Sequence, residues 1–385
     1  MFAERTNWNL EPNRLSRALA RHRESGKPLL DLTASNPTAC GFACDRQAIL
    51  AALASPAALA YQPDPRGLES ARRAVAAYYA AAGADVPAED IFLTTSTSEA
   101  YSFVFRTLCD PGDELLVPAP SYPLLGFLAD IQDVRLRRYP LVYEHGWQID
   151  FQALERAMSP RTRGILLVHP NNPTGHFTGH EEAARLDEIC AGREIALIAD
   201  EVFRDFAYQS HQPASFAANS AALTFTISGL SKISGLPQMK ASWVVTNGPE
   251  QRKGQALERL EVIADTYLSM SAPVQLAIPV FLELRRGFQK QVLERVRKNL
   301  AALDGQLTDQ KPCQRLKVEG GWYVVLRVPA TRPDEDLAVE LLETQSVYIH
   351  PGHFYDFSGD GWLVASLIAP EPDFAEGMRR LLAMF

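Results

Sequence analysis

The 385-residue sequence has no run approaching the about 20 consecutive apolar residues that a membrane-spanning helix needs, so no membrane partner is expected. Its first residues, MFAERTNWNLEPNRLSRALARHRES, lack the apolar stretch of a signal peptide, and a cytoplasmic protein is expected. Cysteine is scarce. Cys40, Cys44, Cys109, Cys190 and Cys313 are odd in number and scattered, which argues against a disulfide framework and suits a reducing compartment. Cys40 and Cys44 have the spacing of half a metal site, but no second Cys/His pair follows, so no metal is expected. Basic charge is in deficit as well: 38 Lys and Arg against 46 Asp and Glu give a net charge of −8. That balance argues against a nucleic-acid partner, which would call for clustered cations, and favours a small-molecule substrate.

What is present is a hydrophobic content of 46%, ample for one large domain and a smaller one. From about residue 90, short apolar runs alternate with amphipathic stretches. IFLTT, ELLVP, RGILLVHP, EIALIAD, LTFTIS and ASWVVT read as strands, and SEAYSFVFRTLC reads as a helix. This order predicts an α/β fold with a mainly parallel sheet sandwiched by helices. After about residue 250 the pattern turns to long helical periodicity. GGWYVVLRVP, SVYIHP and WLVASLIAP then read as strands of a small α+β domain, closed by the helix DFAEGMRRLLAMF. The domain boundaries implied are an N-terminal arm over 1–44 that belongs partly to the small domain, a large domain over 45–275, and a small domain over 276–385. The Ala-rich AALASPAALA reads as helical.

In open α/β sheets ligands bind beyond the carboxyl ends of the strands, so the residues that follow each strand carry the functional information. SGLSKISGLPQMK (228–240) places Lys232 there. VHPNNPTG (168–175) places Asn172, IADEVF (198–203) places Asp200, and TTSTSEAY (94–101) places three hydroxyls at a helix start. Taken singly, each has a plainer reading: a solvated lysine, a turn asparagine, a helix-capping aspartate, N-capping hydroxyls. Their order along the chain is what the plainer readings leave unexplained.

That ordered set resembles fold-type I pyridoxal-phosphate (PLP) enzymes, the class I/II aminotransferases, over nearly the whole chain. The resemblance implies PLP as cofactor, with Lys232 as the lysine that binds it covalently and serves as acid and base. It implies that Asp200 contacts the pyridine nitrogen and keeps it protonated, that Asn172 bonds the phenolic oxygen, and that Tyr122, in PAPSYPLL, stacks on the ring. Ser96, Thr97, Ser98, Ser231 and Lys240 become phosphate ligands. Tyr61, in YQPDPRGLESARR, becomes a phosphate ligand reaching across a homodimer interface, and Ser35, in DLTASNPT, a substrate-side residue. The activity implied is transfer of an amino group from an amino donor to a 2-oxo acid or related carbonyl acceptor by a ping-pong mechanism. A PLP lyase or cyclase would use the same cofactor residues, and an inert PLP-binding descendant is the third reading.

Three positions depart from the family pattern. Phe203 stands where a Tyr usually shares the phenolic oxygen with Asn. Lys240 replaces an Arg, keeping the charge but not the two-pronged geometry. In HPGHFYDFSGDGWLVASLIAP, Val364 occupies the place of the Arg that normally grips the substrate α-carboxylate. Three consequences stand open: another cation such as Arg66 or Arg327 takes over, the substrate has no free α-carboxylate, or the substrate is held by a different end.

Overall fold

The computed structural model describes residues 1–209, 213–307 and 312–385. Eight strands form the main sheet: β1 (Ile91–Thr94), β2 (Glu114–Ala119), β3 (Arg135–Tyr143), β4 (Trp147–Ile149), β5 (Thr162–Val168), β6 (Ala196–Asp200), β7 (Thr224–Gly229) and β8 (Ser242–Asn247). Their spatial order is β1-β8-β7-β6-β5-β2-β3-β4. The pairs β3/β2, β2/β5, β5/β6 and β6/β7 are parallel, while β8 runs antiparallel to both of its neighbours. Strands β6 and β7 are buried at every position, as the continuous apolar runs predict for a sheet covered on both faces. Helices Thr97–Leu108 and Glu250–Tyr267 pack on one face through Phe103, Val104, Leu257 and Leu260, against Phe92, Phe225 and Val244.

The strands at the far edge escape a pattern reading. The segment RLRRYPLVY of β3 exposes Arg135, Arg137 and Arg138 and contains Pro140, features of an edge rather than a core strand. The Ala-rich segment is not one helix. Helix Arg46–Leu53 stops short of Pro56, which begins a separate single turn over Pro56–Leu59, because a proline disfavours helical geometry in the residue before it.

A second, antiparallel sheet follows, with β9 (Gln314–Arg315), β10 (Tyr323–Arg327), β11 (His350–Pro351) and β12 (Trp362–Ser366) in the order β9-β10-β12-β11. The segment SVYIHP is divided. Val347–Tyr348 pairs with Leu30–Asp31, and only His350–Pro351 joins β12. That pairing ties the N-terminal segment to the C-terminal unit, as does helix Arg14–Glu24, whose Arg21 is 2.9 Å from Glu343. Helix Ala272–Gln306, roughly 50 Å long at about 1.5 Å per residue, spans both parts of the chain. Its Phe288 reaches Trp322, and the apolar core is continuous from β5 and β6 into β10 and β12. The loops leaving β5, β6 and β7 therefore open toward β10 rather than toward solvent.

Candidate active site

A cavity of about 360 Å³ lies beyond the carboxyl ends of the main-sheet strands. Each predicted residue in it is delivered by a strand end or a helix start. Ser96 caps helix Thr97–Leu108 by accepting from the Glu99 backbone N–H at 3.1 Å, and the Glu99 carboxylate accepts from the Thr95 N–H at 2.6 Å. The cap reading is thus correct, and Ser96, Thr97 and Ser98 line the cavity at a helix start, the arrangement that suits an anion.

Asp200 ends β6 and is buried. One carboxylate oxygen accepts from the Val202 N–H at 3.0 Å and the other from the Tyr101 hydroxyl at 2.6 Å. Burial pushes its carboxyl above the usual range, opposed by those two hydrogen bonds and by the Lys232 charge. Lys232 lies in the single turn Leu230–Ile233 directly after β7, its ammonium 5.0 Å from the Trp322 ring and 5.7 Å from the Phe203 ring. Burial draws its ammonium down to about 8, against the attraction of Asp200, so it gives up its proton far more readily than a solvated lysine. Gly229 permits this turn because a Cβ there would meet Ser242 Oγ at 2.2 Å.

Asn172 follows β5, and its buried Oδ1 has no hydrogen-bonding partner among the described residues. Lys240 lines the cavity from a left-handed backbone conformation (φ 52°), which costs a non-glycine residue on the order of 1 kcal/mol and is characteristic of functional loops. Tyr122, Ser231 and Ser35 line the same space, with Tyr323 beside them. Ten of the twelve predicted residues thus meet in one cavity.

Two do not. Tyr61 is 79% exposed and lies outside it. Val364 is 1% exposed in β12, opposite Val325 and His350, and is covered rather than presented to the cavity. Side-chain alternation nevertheless puts it on the sheet face that carries Tyr323, which does line the cavity. The two arginines that the sequence offers as substitutes are engaged elsewhere. Arg66 binds Glu261 at 2.6 and 3.0 Å, and Arg327 lies 4.1 Å above the Trp362 ring and donates to the Asp360 carbonyl. Neither lines the cavity.

Sequence reasoning missed Tyr101, Tyr323 and Trp322. Tyr101 carried a signal: four residues after Thr97, it falls on the same helix face one turn on. Tyr323 and Trp322 carried none, since GGWYVVLRVP reads only as an apolar strand.

The donor set fits PLP. A buried carboxylate short of a cationic partner, an amide oxygen without one, a hydroxyl-rich helix start beside a lysine, and an amine with a lowered pKa are the complements of a pyridinium, a phenolic oxygen, a phosphate and an aldehyde. An amide can turn either its oxygen or its NH₂ to an incoming group, so the Asn172 end can donate. Phe203 lines the same cavity, and its buried ring has no hydroxyl to offer that oxygen.

Comparison with known proteins agrees. A family model described as aminotransferase class I and II matches residues 7–370. A glutamate-pyruvate aminotransferase, AlaA, of Escherichia coli is 33% identical over 68% of this chain, and the aligned stretch covers 65% of that protein. An alanine aminotransferase of Mycobacterium tuberculosis is 27% identical over 94% of this chain and 86% of its own length. The crystal structure of an aminotransferase from Escherichia coli superposes with a TM-score of 0.87 at 26% identity, covering 100% of this chain and 98% of that one. Matched by that family model over nearly its whole length, this chain belongs to the PLP-dependent class I and II aminotransferase family.

Proposed function

We propose that this protein is an aminotransferase that moves an amino group between a donor and a carbonyl acceptor in two half-reactions at one cavity. The observation that carries the reading is Lys232: a buried amine with a pKa lowered to about 8, in one cavity with Asp200, Asn172 and the helix start at Ser96. When bound, PLP supplies an electron sink for the pair left on the donor carbon. Asp200, held by Tyr101 and Val202, keeps the proton on the pyridine nitrogen. Asn172 donates to the ring oxygen. Ser96, Thr97, Ser98, Ser231 and Lys240 bind the phosphate, and Tyr122 lies against the ring. Lys232, in its neutral form, takes the proton from the donor carbon and returns it one position along, acting as base and then as acid.

The assembly we propose is a homodimer in which Tyr61 completes the phosphate site of a second copy. Exposed apolar residues support this. Leu59, Tyr61 and Leu268 are 93, 79 and 70% exposed, and the two segments that bear them are joined where Asp64 and Ser269 exchange hydrogen bonds of 2.8 and 3.1 Å. Substrate binding departs from the family pattern at Val364, since no arginine lines the cavity among the described residues.

Absorbance spectroscopy of the holoenzyme and of Lys232→Ala tests the reading. The visible band of the covalently held cofactor is expected in the wild type only. Incubation with amino donors is expected to produce pyridoxamine phosphate. Release of ammonia with the cofactor returned unchanged would identify a lyase instead.

A further inference from the structure

The cavity has two cations, Lys232 and Lys240, and both face the cofactor-binding groups described above. Toward the small sheet its lining is Ser35 and Tyr323, both neutral hydroxyl groups. Behind them on the same sheet face stand Val364 and His350. His350 is no substitute cation. Burial draws its imidazole down to about 4, and its Nδ1 lies 3.1 Å from the Tyr355 hydroxyl. Burial aside, two opposite charges act on Cys40 at this end, Arg295 lowering its thiol and Asp31 raising it more weakly, and Asp31 also raises His350. The nearby Arg295 turns away, with Nη1 held by the carbonyls of Cys40, Ile368 and Ala369 at 3.3 Å and its plane over Phe42.

A carboxylate brought to this end would give up its water for neutral hydroxyls and aromatic rings, with no cation beyond Lys232 and Lys240 among the described residues lining the cavity. An apolar body would lose nothing. Tyr323 presents aromatic surface at this end, and Tyr122, Phe203, Leu125 and Leu128 make much of the remaining cavity lining apolar.

We propose that the amino donor carries no carboxylate on its amine-bearing carbon and is a primary amine with an aromatic or branched apolar body. This rests on the aminotransferase reading. In the first half-reaction the donor R–CH₂–NH₂ loses its C–N bond and gains a C=O bond whose oxygen comes from water. Its amino group and two electrons pass to the cofactor. In the second half an aldehyde or ketone takes up both and releases water, so the sum is amine plus carbonyl to carbonyl plus amine.

The test pairs each amine with its amino-acid twin on the wild-type holoenzyme: tyramine with tyrosine, phenethylamine with phenylalanine, isoamylamine with leucine. Stopped-flow absorbance follows loss of the cofactor's starting form, and chromatography identifies aldehyde or oxo acid. Each amine is expected to react faster than its twin by roughly tenfold or more, the scale set by a site that leaves a charged group unpaired. Melting-temperature shifts of the Lys232→Ala protein, which binds without turnover, are expected to favour the amines likewise. Amino acids that react or bind as well as their twins overturn the inference. So does a silent amine series, and conversion of L-alanine or L-glutamate to the oxo acid would then keep the aminotransferase reading alone. Ammonia release in place of amino transfer would sink that reading instead.

Discussion

The two ends of the cavity are built differently. At the cofactor end, Ser96, Asn172, Asp200 and Lys232 come from ends of the main sheet's strands, and several are fixed by short hydrogen bonds, such as the 2.6 Å contact of Tyr101 with Asp200. At the substrate end, Ser35 and Tyr323 come from the N-terminal segment and the small sheet, and the surroundings are neutral and aromatic. Charge that develops during a reaction needs oppositely charged groups at fixed positions, which leaves few residue types to choose from. A pocket that sorts substrates by shape admits many. The departures fall at both ends: Phe203 and Lys240 stand among the groups proposed to hold the cofactor, and Val364 lies behind the small-sheet lining.

The largest effect expected is at Lys232, where Lys232→Met separates chemistry from stability. Amino transfer is expected to fall by about 10²–10⁴-fold or more, the usual worth of a positioned acid–base group. The apoprotein should respond in the opposite sense. Burial lowers the folded-state pKa to about 8, whereas the unfolded chain titrates near about 10.4, so between these values the unfolded state binds more protons. Wild-type stability must then rise with pH through that window. Below it the variant is expected to be more stable by on the order of 3 kcal/mol, a gap that closes by about pH 10.5. Urea unfolding of both apoproteins at several pH values measures it, and a pH-independent gap would mean that Lys232 is not buried as an ammonium.

Tyr101→Phe probes the cofactor end without touching its charges. It removes a hydroxyl donor from a buried carboxylate, a contact worth about 1.5–3 kcal/mol, so kcat should fall roughly 10–100-fold. Because Asp200 acts on the cofactor and not on the donor, every donor should slow by the same factor. A factor that differed between amine and amino acid would place Tyr101 at the substrate end.

The sequence was most legible where the cavity is most constrained. Strand-end residues such as Asn172, Asp200 and Lys232 are recognisable because each lies next to an apolar run whose type and length identify the strand. The substrate end resists this, since Tyr323 and Trp322 sit inside an apolar strand and their exposure depends on how the small sheet meets the main one. The edge strand β3 was hidden by Arg135, Arg137, Arg138 and Pro140, residues tolerated there because one side of the strand is open. The replacements proposed for the missing cation failed for a similar reason. Nothing local in the sequence shows that Arg66 is held by Glu261, 195 positions away.

The smallest effect is expected at the substrate end, from the pair Ser35 and Tyr323. Both present neutral hydroxyls to the cavity, so removing either should cost about 0.5–1.5 kcal/mol. Tyr323→Phe and Ser35→Ala are each expected to raise KM for the donor several-fold while leaving the cofactor dissociation constant unchanged. The double variant is expected to lose the sum of the two, each hydroxyl meeting the donor separately. A double variant little worse than either single one would show that the two hydroxyls act as a pair. A weakened cofactor, read by fluorescence titration of the apoprotein, would show instead that the two ends of the cavity are not independent, since a substitution at the small-sheet end would then have reached the groups around Lys232.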